Sequence, residues 1–472
     1  MDAQVEKSGC TLETIRQQVV GVEKEVPLLD GRTTRYIYFD NAASTPILQP
    51  VLDAVNEFME WYSSVHRGTG FKSRLATHFH EYSREVVARF VNVDLDHHTV
   101  IFGKNATEAI NKLAHRVDMP PESIVLCTRM EHHSNDLPWR QRARVIHVEV
   151  DEQGRLIEED LIAKLEKYHR KVALFAVTGA SNVTGWVNDV HRLAEICHSY
   201  GVKIMVDAAQ WIPHRRVDMK PQDDPQHIDF LAFSAHKIYA PLGAGVLIAD
   251  KDAFAEGPPD LVGGGTVDVV SLDYAFWTAL PEREEAGSPN TVGIVALAKA
   301  LQVMEELGME NVAAHEARLT RYALERLNRM PNLTIYGGTD PDHLENRMGV
   351  IAFNVEGVPN ALTAAILGWE GGIGVRNGCF CAHPYIKHLL RVNEQQERAM
   401  EERILRGDRS NLPGAVRVSF GIYNTEAEID AFLEVLERIV RREWEGEYVE
   451  DSRTGEFHPR GVEIPMERYF AL

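Results

Sequence analysis

A chain of 472 residues exceeds what one hydrophobic core usually serves, so two lobes are the default expectation. With 44% hydrophobic and 25% charged residues it has the composition of a soluble globular protein, and a formal charge of −20 argues against broad attraction to nucleic acid or anionic membrane. No basic-then-apolar leader opens the sequence, no apolar run is long enough for a bilayer, and five cysteines form no disulfide framework, which together read as a cytoplasmic protein.

In chain order, strand-like apolar runs fall at 36–39, 100–102, 124–127, 145–150, 172–177, 203–206, 228–233 and 245–249. Amphipathic, helix-like stretches fall at 51–62, 74–91, 106–115, 190–200 and 291–307, with a further helix near 11–22. The alternation predicts an α/β lobe, a mostly parallel sheet covered by helices on both faces, with polar strand ends facing a common crevice. After about residue 308 a long helix over 311–329 leads to strands at 333–336, 350–353, 374–376 and 416–420 and helices near 361–367 and 426–441, a smaller α+β lobe. The expected organisation is an N-terminal segment (1–36) packing with the small lobe, a large lobe (37–307), a small lobe (308–441) and a tail (442–472). The charged stretch 387–407 reads as one exposed helix. The tail, with Tyr469 and Phe470, has two readings: solvated surface, or aromatic docking on its own protein or a sister subunit.

Two residues that close neighbouring apolar runs carry the chemistry. Lys237 ends Phe233-Ser234-Ala235-His236-Lys237, and Asp207 opens Asp207-Ala208-Ala209-Gln210. An amine that can condense with an aldehyde, and a carboxylate that keeps a pyridine nitrogen protonated, are what pyridoxal phosphate (PLP) needs to act as an electron sink. A lysine in this position can instead snorkel to solvent, and such an aspartate can cap a helix. Their order and spacing favour the cofactor.

Further motifs surround this pair: Asp40-Asn41-Ala42-Ala43, Asn105-Ala106-Thr107-Glu108, Glu131-His132-His133-Ser134-Asn135, Ser181-Asn182-Val183-Thr184-Gly185, Ser288-Pro289-Asn290, Arg376-Asn377-Gly378-Cys379-Phe380-Cys381-Ala382 and Arg417-Val418-Ser419-Phe420. In this order, over about residues 35–440, they resemble the class V aminotransferase branch of fold-type I PLP enzymes, and within it the SufS-type cysteine desulfurases. The resemblance implies a fold-type I transferase with a large-domain sheet of the seven-stranded type, and a homodimer. It implies Lys237 as the Schiff-base residue, Asp207 on the pyridine nitrogen, Gln210 on the ring oxygen and His132 stacked on the ring as a proton relay. Thr107, Ser234 and His236 would hold the phosphate, joined by Ser288 from the other subunit. Arg417 and Asn182 would hold the substrate amino acid, the guanidinium gripping its α-carboxylate, with His66, Arg67 and Arg376 lining the pocket. His133 is expected to be structural, and no metal is expected.

Cys381 occupies the family's nucleophile position, where a thiolate attacks the sulfur of PLP-bound cysteine and keeps it as a persulfide for an acceptor protein or thiol. The implied reaction is L-cysteine to L-alanine. Other PLP chemistry of the branch (selenocysteine or cysteine C–S lyase, epimerase, aminotransferase) and a non-catalytic partner-binding scaffold are the alternatives. Two departures stand out. Cys379 replaces the histidine usual there, to resolve or relay the persulfide, to form a redox pair, or to do nothing. An insertion of some twenty residues follows Tyr385, to select an acceptor, to shield the persulfide, or as passive surface. Cys127 and Cys197 read as buried apolar residues.

Overall fold

Seven strands, all largely buried except the edge strand Arg144–Val148, form the central sheet of this computed structural model, which describes residues 11–472; Cys10 lies outside the described residues. The strands are β1 (His98–Gly103), β2 (Ile124–Thr128), β3 (Arg144–Val148), β4 (Val172–Thr178), β5 (Lys203–Asp207), β6 (Phe230–Ser234) and β7 (Gly245–Asp250), in the order β1-β7-β6-β5-β4-β2-β3. All pairings are parallel except those of β7, which runs antiparallel to both neighbours. Both faces are covered, which is why the strands read as continuous apolar runs rather than as alternating ones. Alternate residues sort cleanly: Leu126, Phe175, Val206 and Phe233 pack under Gln49–Trp61, Phe71–Phe90, Val190–Ser199 and Thr291–Leu307. Val125, Leu174, Met205 and Ala232 pack under Ala106–Arg116 on the opposite side.

A second core forms around a four-stranded antiparallel sheet, Leu333–Tyr336, Val350–Val355, Ala415–Ser419 and Arg376–Gly378 in that order. Helices Met309–Leu327, Asn360–Gly371 and Glu426–Val440 contribute its apolar face.

Several expected elements are corrected. The run 36–39 does not join the large sheet. Ile37–Tyr38 pairs in parallel with Ile373–Gly374, and Phe39 packs edge-on against Phe420 and Phe432 in the second core. Near the N-terminus only a short 3-10 turn, Ile15–Gln18, forms where a helix was expected. The β-branched run that follows resists helix, and Gly21 turns the chain at φ +81° into the hairpin Glu25–Pro27 and Thr33–Arg35. The charged insertion is two helices rather than one. His383–Leu389 buries Tyr385, Ile386 and Leu389, and Glu394–Leu405 buries none of its residues and begins at a capping box of Asn393 and Gln396.

Two further hairpins and one three-turn helix had no counterpart in the sequence reading. The hairpin Val267–Val270 with Ala275–Trp277 leaves Val270, Leu272, Tyr274 and Phe276 in solvent. Within the tail, Tyr448–Asp451 pairs with Glu456–Pro459, and Ser452 accepts from the Arg409 N–H of the insertion (2.7 Å), while Tyr469 and Phe470 remain exposed. The helix is Glu158–Tyr168. No helix among the described residues is long and apolar enough to cross a membrane.

Candidate active site

The carboxyl ends of β4, β5 and β6 deliver Thr178, Asp207 and Ser234 to one cavity of about 430 Å³. Thr107, His132, Asn182, Gln210, His236, Lys237, Arg376, Cys381 and Arg417 line the same cavity. This is the crevice position that an open α/β sheet offers to ligands.

Lys237 lies in the tight turn Ala235–Lys237 directly after β6. The turn is tied down from outside: the Thr45 N–H (2.8 Å), its hydroxyl (3.2 Å) and the Ser44 hydroxyl (3.1 Å) all donate to the His236 carbonyl. Burial pulls the Lys237 amine down from its ordinary value, against the opposing pull of the Asp207 carboxylate. Asp207 is buried too, and burial pushes its carboxyl up while the Ala209 N–H (2.9 Å) and Lys237 favour the charged form. The Asp207 contact with Ala209 is a local turn, so its second oxygen is left for another partner.

Gln210 is 3% exposed, and neither its amide nitrogen nor its amide oxygen has a hydrogen-bond partner. A buried polar group left unpaired costs about 1–3 kcal/mol, so the side chain is built for a ligand. The start of helix Ala106–Arg116 supplies an anion-favouring end. Asn105 caps it through the Glu108 N–H (2.9 Å), Ser234 Oγ accepts from the Ala106 N–H (2.7 Å), and the Thr107 and Ser134 hydroxyls share a hydrogen bond (2.7 Å). Gly245 makes this packing possible, because a Cβ there would lie 2.4 Å from the Asn105 backbone.

Both histidines of the cavity are held neutral. Burial and the nearby Lys237 charge draw His132 down to about 3 and His236 down to about 4. His132 Nδ1 accepts from the Ser134 N–H (3.1 Å), which leaves Nε2 to carry the ring proton.

Arg417 does not wait unpaired. Its Nη2 donates to Asp40 (2.8 Å), its Nη1 to the Asn182 carbonyl (2.9 Å), and its guanidinium lies 4.8 Å from the Phe380 ring centre, leaving only Nε without a partner. Asp40 also takes Arg376 Nε at 3.0 Å, so one carboxylate holds both arginines. Asp40 was passed over in the sequence although it stands in the first motif, because nothing local pairs it with an arginine 377 residues away.

Cys381 is exposed to the cavity mouth and sits, with Phe380 before it, in left-handed backbone at φ +55° and +51°. The Asn182 side chain anchors the loop by donating to the Phe380 carbonyl (2.7 Å). Cys379 faces elsewhere. Its thiol donates to the Pro413 carbonyl (3.3 Å), and burial pushes it up to about 11, which suits packing better than reaction. Cys127 and Cys197 are buried, as expected, with thiols raised by burial.

Ser288 and His66 are not brought to the cavity within this chain. Ser288 is exposed on the loop before helix Thr291–Leu307, and His66 meets the His80 ring at 5.1 Å. Arg67 donates to the Val267 carbonyl (3.3 Å). Among the described residues, two groups with metal-ligand atoms lie outside the cavity, His66 with His80 and Glu81, and His198 with His227 and Asp229. In the first, Arg84 contacts His80 Nε2 at 3.0 Å; in the second, the imidazoles stack at 4.2 Å and both Nε2 atoms face the Asp229 carboxylate, at 3.0 Å from His198 and 3.5 Å from His227.

Glu131, also unassigned from sequence, lies beneath the site. It accepts from the Thr128 hydroxyl, from Asn135 (2.7 Å) and from the Thr178 N–H (3.0 Å), and burial raises its carboxyl to about 8. A carboxyl raised on folding stabilises fully below its unfolded value, and that stabilisation is lost as pH climbs through the folded value. Glu131→Gln is therefore expected to gain stability relative to the parent protein as pH rises from about 5 to about 8. Denaturant midpoints of both proteins across that range check the sign; a constant difference refutes it.

The sequence matches the Aminotransferase class-V family over residues 37–432. A probable cysteine desulfurase of Pyrococcus abyssi is 35% identical over 89% of this chain and 97% of its own length. A cysteine desulfurase of Escherichia coli O1:K1 / APEC is 34% identical over 86% of this chain and 93% of its own. Among solved structures, the apo cysteine desulfurase of Thermococcus onnurineus NA1 superposes with a TM-score of 0.78 at 32% identity, covering 92% of this chain and all (100%) of that one. The S-sulfonic acid form of the cysteine desulfurase CsdA from Escherichia coli gives 0.74 at 26% identity, covering 92% and 99%.

Proposed function

The chain belongs to the class-V aminotransferase family, and on that premise we propose that it is a PLP-dependent cysteine desulfurase that converts L-cysteine to L-alanine and leaves a persulfide on Cys381. The observation that carries this reading is one cavity lined by a half-buried lysine, a buried arginine and an exposed cysteine.

The residues present fit the cofactor. Gln210 offers a buried unpaired amide, Asp207 a free carboxylate oxygen within reach of the Lys237 charge, and the Ala106–Arg116 helix end a hydroxyl-rich anion cradle. Lys237 would hold the aldehyde carbon, Asp207 the ring nitrogen, Gln210 the ring oxygen, His132 the ring face, and Thr107, Ser234 and His236 the phosphate. Bound there, PLP supplies a sink for the electron pair left when a substrate Cα–H bond breaks.

The chain's own groups do the rest. Arg417, oriented by Asp40 and Asn182, turns a planar guanidinium toward the substrate carboxylate. Lys237, its amine pulled down by burial, takes the Cα proton and returns it. Neutral His132 can pass a proton from Nε2 to the substrate. Cys381 attacks the substrate sulfur and retains it until an acceptor protein or thiol removes it.

A second copy of the chain completes the proposal. The exposed hairpin around Leu272 and Phe276, near the exposed Ser288 loop, presents apolar area of the kind homodimers cover. The four described cysteines are free, which supports a reducing cytoplasm.

The test is incubation of the PLP-loaded protein with L-cysteine. Alanine is expected in solution and one added sulfur on the peptide bearing Cys381, read by mass spectrometry. Pyruvate and ammonia without sulfur on Cys381 would instead assign a C–S lyase.

A further inference from the structure

His133 holds the sulfur-bearing loop through two separate atoms. Its backbone N–H donates to the Cys381 carbonyl (2.7 Å), and its Nε2 lies 3.2 Å from the His383 N–H, which donates to it. The two contacts bracket Ala382, and the rings of His133 and His383 meet edge to face at 4.6 Å. Phe380 and Cys381 are consecutive non-glycine residues in left-handed backbone, a conformation that persists only where the surroundings over-determine it. Asn182 supplies another restraint at Phe380, and the Ala382 N–H closes the turn on the Cys379 carbonyl (2.8 Å). The His133 imidazole is the one ionisable acceptor among these restraints.

We infer that His133 is the positioning residue that fixes Cys381 in its attacking conformation, through the Nε2 lone pair that accepts from His383. The inference rests on the reading of Cys381 as sulfur acceptor. In that step the Cys381 thiolate forms an S–S bond to the substrate sulfur as the Cβ–S bond breaks. The bonding pair stays with carbon, which takes up one proton, matching the one lost from the Cys381 thiol, and becomes the alanine methyl. Cysteine plus thiol gives alanine plus persulfide, with no outside oxidant.

Nε2 accepts only while the ring proton is on Nδ1. A second proton would set one N–H against another and release the loop. Burial, His383 and Arg140 disfavour a charged ring, Asp136 favours it, and the neutral His132 ring lies 6.3 Å away; the balance holds His133 below its ordinary value. Sulfur transfer is thus supported at neutral pH and weakens as pH falls through the His133 titration.

The experiment compares His133→Phe, which keeps the ring contact but offers no acceptor, with His133→Gln, whose carbonyl oxygen reaches about the Nε2 position and does not titrate. Single-turnover sulfur loading of Cys381 is expected to slow about tenfold or more in the Phe variant, while the cysteine-induced change in cofactor absorbance stays within about twofold. The Gln variant is expected to recover most of the rate, and its rate relative to wild type should climb as pH drops from about 7 to about 5. In cofactor-free protein, the His383 amide should exchange faster with solvent in the Phe variant than in the Gln variant or wild type. Wild-type loading in the Phe variant, or a Gln variant no better than Phe, overturns the role of His133 alone. A wild-type protein that makes no persulfide overturns the desulfurase reading, and this role with it.

Discussion

Lys237→Ala and Lys237→Arg are both expected to lower alanine formation from cysteine by about 10⁴-fold or more. The two substitutions fail for different reasons, which is what makes the pair informative. Alanine removes the amine and leaves Asp207 buried without its nearest cation. Arginine keeps a cation beside Asp207 but cannot give up its proton, so it neither condenses with an aldehyde nor takes a Cα proton. A role limited to charge would leave the Arg variant substantially active. Titration with PLP separates binding from chemistry: wild type should develop a visible band that borohydride fixes on Lys237, and neither variant should retain a fixed label at position 237. Substantial alanine production by either protein would remove the foundation of the proposed mechanism.

Much of the scaffold was legible because burial on both faces leaves its mark locally. β4, β5 and β6 were found as short apolar runs, and each ends at a residue that lines the cavity. Helix Thr291–Leu307 is recovered at its predicted limits because its start is fixed by the Asn290 cap and its end by Gly308 at φ +79°. Partnership between distant segments was not legible. The run 36–39 has the pattern of a strand whichever sheet it joins, and only the fit of Phe39 between Phe420 and Phe432 places it in the second core. The hairpin Val267–Val270 with Ala275–Trp277 leaves apolar residues in solvent, so the burial pattern that marks other strands is missing.

The candidate site divides the same way. Lys237 and Asp207 announce themselves by residue type at strand ends. Asp40, Gln210's missing partners and the grip of His133 depend on where remote segments meet. The directions of Cys379 and Cys381 were hidden for a different reason. Residues two apart on a strand point the same way, but two left-handed residues at Phe380 and Cys381 turn the thiols to different surroundings. No local rule expects phenylalanine or cysteine in that region of backbone space.

That divergence leads to the second large effect. Cys381→Ser is expected to abolish sulfur retention on the protein and to cut alanine formation at least about a hundredfold, while the cysteine-induced absorbance change survives. Serine keeps the size of the side chain and the strain of its backbone, so loop geometry is preserved; what disappears is an ionisable, polarisable nucleophile at accessible pH. Cys379→Ser is expected to stay within about threefold of wild type, because a hydroxyl can donate to the Pro413 carbonyl as the thiol does. Mass analysis of the single-turnover product reads both variants. Sulfur found on Cys379, or undiminished alanine from Cys381→Ser, would mean that the exposed thiol at the cavity mouth is not the group that receives it.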